Sequence, residues 1–133
     1  MKKLIYNQNL HLSISVLIVI PIALVYGTLP NQNLVNPFTF TAISTDLANI
    51  LKAIMGLYLA FAAFWLYAIF NHQFWAAATI SNILFMLGLG LGRVVSIFVD
   101  GTPSPIFMFG TLGELILGFY GIYILSKNKN PVV

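Results

Sequence analysis

The chain has 133 residues, of which 59% are hydrophobic and only 7% charged, with a net charge of +3 and no cysteine. A soluble domain carries roughly a quarter charged residues, so this composition excludes a water-covered globule and defines an integral membrane protein. Without cysteine, disulfides, thiolate metal sites and cysteine nucleophiles are excluded. Lys2, Lys3, Lys127 and Lys129 supply most of the positive charge from the two ends. Such terminal pairs are orientation signals rather than a nucleic-acid patch.

Four apolar stretches follow one another, at about residues 10–28, 47–70, 74–99 and 105–126, each near the ~20 residues that cross a ~30 Å hydrocarbon core. Backbone polar groups in lipid need internal partners, so these stretches are expected to be helices. Their lack of apolar/polar alternation disfavours a transmembrane barrel. The expected fold is one all-α domain over residues 1–133, an antiparallel four-helix membrane bundle. In the first stretch, Pro21 is expected to distort the helix. Lys2, Lys3 and this stretch also have the outline of a signal peptide, with Val25-Tyr26-Gly27 as a loose cleavage site. The run exceeds a usual signal core in length, which favours a retained helix.

The connectors differ in kind. Leu29 to Thr45 is long and rich in Asn, Pro and Thr, with turn signals at Pro30-Asn31 and Asn36-Pro37. Thr45 or Asp46 is placed to cap the second helix. Asn71-His72-Gln73 is a tight turn that forces the second and third helices into an antiparallel pair. Asp100-Gly101 signals a turn, and Ser104-Pro105 offers an N-cap followed by proline at the first helical position. Four crossings place both termini on one side, and the terminal lysines make that side cytoplasmic. The expected location is the bacterial inner membrane.

Inside these stretches lie ionisable residues, each costing at least ~2.5–3.5 kcal/mol at membrane depth, so they are kept for a partner or a task. Counting at ~1.5 Å per residue from Asp46 and Asp100 puts Lys52 ~9 Å and Arg93 ~10 Å below the outer surface. Glu114, counted from Pro105, lies ~13 Å down. Helical phase aligns Asn82, Met86, Arg93 and Asp100 within about 20° on the third helix, with Ser96 on the flank. On the fourth helix Gly110, Glu114, Gly118 and Gly121 share a face, and on the second Lys52 shares one with Gly56, Leu59 and Ala63. Small residues mark close-packed faces in membranes, and Gly88 and Gly92 form a GxxxG pair beside Arg93. Arg93, Glu114, Asp100, Lys52, Ser96, Asn82 and Tyr58 are therefore the expected polar cluster, with Arg93 facing Glu114.

Blander readings stand beside this one. Lys52 reaches the headgroups by snorkelling alone, and Arg93 with Glu114 serves equally as an ion pair that fixes helix register. For Asp100, hydrogen bonds from the following turn compete with pairing to Arg93, and for Tyr58 core packing competes with the cluster. His11 and His72 lack a second ligand at metal spacing and read as interfacial. Tyr6, Tyr26, Tyr67, Trp65, Trp75 and Tyr123 read as an aromatic belt. Gly88-Leu-Gly-Leu-Gly92 has no preceding strand, so it carries no dinucleotide fingerprint.

The run Gly92-Arg93-Val-Val-Ser96, with Asp100-Gly101-Thr-Pro103-Ser-Pro105 and Glu114, resembles a bacterial membrane family, domain-of-unknown-function family 4345. Lys52-Ala-Ile-Met-Gly56-Leu-Tyr58 is similar to that family's earlier basic-to-glycine segment, with lysine where arginine is expected. The resemblance spans about residues 46–126. It implies a small four-helix inner-membrane protein with a shared polar site, and no established activity. The expected function is binding of a small ligand, a lipid head group or protons at that site. The alternative is an accessory subunit held by purely structural ion pairs, working with a membrane-protein partner or a second copy. A lipid-directed enzyme ranks third, since there is no second deep carboxylate and no metal cluster. No cofactor, metal or nucleic acid is expected, and membrane lipid is the expected surrounding partner.

Overall fold

In the computed structural model, described for residues 8–28 and 44–128, four helices account for almost all of the described residues. α1 spans Leu10–Thr28, α2 Thr45–Phe70, α3 Trp75–Asp100 and α4 Pro105–Lys127, with a 3-10 turn at His72–Phe74 between α2 and α3. There is no strand among the described residues. All four helices are long and apolar enough to cross a membrane. The loop signals at Pro30-Asn31 and Asn36-Pro37, and Tyr6, fall outside the described residues.

Large apolar side chains cover the outside of the bundle: Leu17, Leu84, Phe98 and Phe109 are 69–85% exposed. In water such a surface is untenable, and in lipid it is the solvated face. The interior is built from small and aromatic residues, among them Ala23, Ala62, Ala78 and a fully buried Trp65. Edge-on contacts link Tyr58 to Phe85 at 4.9 Å and Trp65 to Phe85 at 5.2 Å, tying α2 to α3. Trp65 Nε1 donates to Ser81 Oγ at 3.0 Å, satisfying a polar atom that lipid would leave unpaired.

Helix ends follow the local chemistry with some corrections. α2 is capped by Ser44, whose Oγ accepts from the Leu47 N–H at 3.1 Å, rather than by Thr45 or Asp46. Ser44 has extended backbone just before the helix, as a cap requires, whereas Thr45 and Asp46 already belong to it. Asp46 instead places its charge in the positive first turn. Ser104 holds the N-cap position before Pro105, but its hydroxyl makes no cap hydrogen bond. Gly101 takes φ +101°, a conformation L side chains avoid, and so ends α3. α1 runs unbroken through Pro21, which lies on the exposed side.

Packing is uneven. α3 packs closely with α4 and α1 with α2, while α1 meets both α3 and α4 only sparsely. On α3 and α4 the contact is made at glycine: a Cβ on Gly90 would fall 2.7 Å from Leu115 Cδ2, one on Gly118 2.5 Å from Leu87 Cδ2, and one on Gly121 2.8 Å from Ile83 Cγ1. Residue numbers rise on one helix as they fall on the other. Gly88 and Gly92, by contrast, are exposed, with nothing within 4 Å of an added Cβ. The GxxxG pair therefore points away from the bundle, and Gly90, between its two members, is the close-packed one.

α1 and α3 run side by side in one register. Trp75 Nε1 donates to the Gln8 carbonyl at 3.0 Å, 67 residues apart, and His11 meets Thr79 at 3.2 Å, 68 apart. Val19 and Met86 line one cavity at the same spacing, and Tyr26 reaches Arg93 at the far end.

Candidate functional site: a side cleft backed by an ion pair

Arg93 on α3 and Glu114 on α4 face each other, with Nε 2.9 Å from Oε2. Their side chains keep 23% and 14% of their exposure, so the pair is largely withdrawn from the surface. The two charges are in contact, but the N–H is not aimed at the oxygen well enough to count as a hydrogen bond. Arg93 also lies over the Phe107 ring, 5.3 Å from its centroid, a cation–π contact from the first turn of α4. Tyr58 and Tyr26 bring their side chains to the guanidinium from α2 and α1. All four helices thus contribute to one polar group, and the two tyrosine rings are set edge to face at 5.8 Å.

Beside Glu114 is a cavity of about 280 Å³. α1 gives it Ile18, Val19 and Ile22, α3 gives Phe85, Met86 and Leu89, and α4 gives Phe109 and Leu117. Tyr58 and Glu114 are the polar side chains of this wall, which is otherwise apolar, and Arg93 stands behind Glu114. Gly110 and Gly113 also line it, and a Cβ added at either meets nothing within 4 Å. Missing side chains on α4, together with the sparse α1–α4 contact, create the space. Ile18 and Phe109 at the rim are both exposed, so the cleft opens through the side of the bundle. Arg93 and Glu114 hold each other's charge, so the cleft presents a near-neutral polar wall able to accept a hydrogen bond at the carboxylate.

The expected cluster is only partly assembled. Arg93, Glu114 and Tyr58 come together, and Tyr58 both packs in the core and lines the cleft. Lys52 is exposed, outside this group. Asp100 is exposed and accepts from Ser96 Oγ at 2.7 Å, one turn earlier on its own helix, instead of pairing with Arg93 or the following turn. An Asp four residues after a Ser finds it on the same helix face without leaving the surface. Asn82 is fully buried but lies ~16 Å along α3 from Arg93, so the single cluster divides into two levels.

Two residues carry more than their sequence reading allowed. His11, expected at the interface, has no exposed surface and meets Thr79 inside the bundle. Tyr26, expected in an aromatic belt, is buried against Tyr58 and Arg93, and Trp65 and Trp75 are likewise buried. The spacings His11/Ser15 and Thr79/Asn82 put polar groups on one face of each helix, and that pattern was the available signal.

Four apolar helices surrounding a withdrawn ion pair define a multi-pass membrane protein with a polar interior site. The chain belongs to the family described as Domain of unknown function (DUF4345), which it matches over residues 8–125. No curated protein and no solved structure matches it.

Proposed function

We propose that this protein binds a membrane-dissolved ligand in the cleft between α1 and α4, a molecule with an apolar body and one hydrogen-bond-donating polar group. The observation that carries the reading is the cleft itself: an apolar cavity open to the side of the bundle, with Glu114 and Tyr58 as its polar lining. A side opening favours entry from the bilayer over entry from water. The carboxyl group at the wall favours a ligand with a hydroxyl, amide or amine donor. Arg93, in contact with Glu114, fixes where the polar edge of the wall lies. At about 280 Å³ the cleft is near the lower end of the ~300–1,000 Å³ range of ligand sites, so it accommodates one chain or ring rather than a whole two-chain lipid. With the terminal lysines on the cytoplasmic side of a bacterial inner membrane, this reading places Arg93 and Glu114 in the outer half of the bilayer.

Gly113→Leu tests the reading, because Gly113 lines the cleft and a Cβ there meets nothing within 4 Å, leaving the added bulk to fill the cleft. A photoreactive long-chain alcohol should crosslink to wild-type protein in bilayers at the buried cleft residue Met86, and Gly113→Leu should abolish this. Equal labelling of both proteins rejects the cleft as a binding site.

A second reading, an accessory subunit whose ion pair only sets helix register, is favoured by the outward Gly88 and Gly92, which leave a smooth helix face for a neighbour. An unchanged host phenotype with the cleft filled would favour it.

A further inference from the structure

The deeper of the two polar levels is independent of the cleft and has its own chemistry. Asn82 has no exposed surface, and neither its amide nitrogen nor its amide oxygen has a hydrogen-bond partner among the described residues. A buried polar atom without a partner bears its full desolvation penalty, and native interiors satisfy nearly all of them. The α1–α3 register sets Ser15 level with Asn82, because Gln8 meets Trp75 and His11 meets Thr79 at offsets of 67 and 68 residues. Ser15 is itself fully buried and donates to the His11 carbonyl at 2.8 Å, which leaves its oxygen free to accept. One turn toward the 71–74 end, His11 Nε2 and Thr79 Oγ1 are 3.2 Å apart, both fully buried. One turn the other way, Val19 and Met86 form the floor of the cleft.

We propose that Asn82 anchors an internal water site between α1 and α3, with Ser15 Oγ and the His11–Thr79 pair as its other partners. The occupant must both accept from the amide N–H and donate to the amide oxygen. It must be neutral as well, since Arg93 and Glu114 already hold each other one level away. Water meets these demands and is small enough to lie between two neighbouring helices, where each buried molecule needs two to four polar partners. A metal ion does not fit, because no group of three His, Cys, Asp or Glu side chains is assembled among the described residues. A hydrated Asn82 carries hydrogen bonding from His11 to within one turn of the cleft floor. It also gives the imidazole an exchange partner for its proton inside an otherwise apolar bundle.

Water-edited solid-state NMR on the full chain in lipid bilayers tests this directly. Magnetisation from water should reach the Asn82 side-chain amide and the His11 ring several-fold faster than the equally buried Ala62 methyl. Build-up at Asn82 as slow as at Ala62 overturns the proposal, and this measurement needs no variant. Asn82→Leu supplies a second readout, being close in size and free of the two amide atoms. With water bound, the variant should lose transfer to His11 and unfold at a lower temperature. If His11 keeps its transfer and the variant melts higher, the amide was dry and the site does not exist.

Discussion

Arg93 Nε and Glu114 Oε2 sit 2.9 Å apart across α3 and α4, and this contact does two things at once. It neutralises two charges that lipid would otherwise penalise, and it turns one carboxylate edge into a wall of the cleft. Tyr26, Tyr58 and Phe107 surround the guanidinium, so the arginine is held by three helices besides its own. Glu114 has fewer supports, and the pair is correspondingly asymmetric.

Single substitutions should expose that asymmetry. Arg93→Ala strands a carboxylate and removes packing against Phe107, and should lower stability by about 3–5 kcal/mol. Glu114→Gln keeps a polar oxygen beside the guanidinium, and Arg93 retains its aromatic neighbours, so the loss should be smaller. Thermal unfolding in the same detergent, variant against wild type, measures both. Equal losses, or a larger one for Glu114→Gln, would show that the carboxylate and not the arginine is the anchored partner.

The glycines make a contrasting pair of predictions. Gly118→Ala sets a Cβ 2.5 Å from Leu87 Cδ2 and 3.4 Å from the Leu87 backbone nitrogen, so α3 and α4 must separate or Leu87 must change rotamer. Overpacking of this kind costs about 1–3 kcal/mol. Gly92→Ala meets nothing within 4 Å and removes a flexible residue from mid-helix, a gain of about 0.5–1 kcal/mol. Melting midpoints should move in opposite directions. A destabilising Gly92→Ala would reveal a neighbour against that face.

Asp100 should be nearly silent. Its carboxylate accepts from Ser96 on an exposed face and does not touch Arg93. Asp100→Asn keeps an accepting oxygen, and Ser96→Ala removes a hydrogen bond that water replaces. Both variants should match wild type in melting midpoint and in cleft labelling. A marked loss for Asp100→Asn would mean that its charge reaches the Arg93 site.

Much of the architecture was legible because lipid simplifies the code: apolar length gave four helices, and glycine and proline marked the ends of α3 and the start of α4. The facing of Arg93 and Glu114 was legible from depth and phase. Lateral detail was harder to read. Helical phase groups residues along one line, but it does not say which line meets which neighbour. Gly88 and Gly92 thus read as inward-facing, whereas Gly90, on nearly the opposite side, makes the contact. His11 was misplaced because a histidine one residue into an apolar segment usually marks the interface. Its burial depends on Thr79, 68 positions away, and no local pattern carries that pairing. The cleft arises from what is missing at Gly110 and Gly113 and between α1 and α4, so no single residue announces it.

The double variant Arg93→Met with Glu114→Leu separates scaffold from site. Removing both charges together leaves nothing stranded, and replacing a buried pair with apolar groups of similar volume is often neutral or stabilising by about 1–4 kcal/mol. The surroundings favour that outcome, since Phe107 and the cleft wall are already apolar. The double variant should therefore fold, with a melting midpoint at or above wild type and well above that of Arg93→Ala. Its cleft is then wholly apolar apart from Tyr58. Labelling by the long-chain alcohol probe should fall, while a long-chain hydrocarbon probe of the same length should still enter. Loss of alcohol labelling with the fold intact assigns the pair to ligand recognition. Undiminished alcohol labelling, together with an unchanged host phenotype, would reduce the pair to a structural clamp and leave Tyr58 to provide whatever polarity the ligand needs.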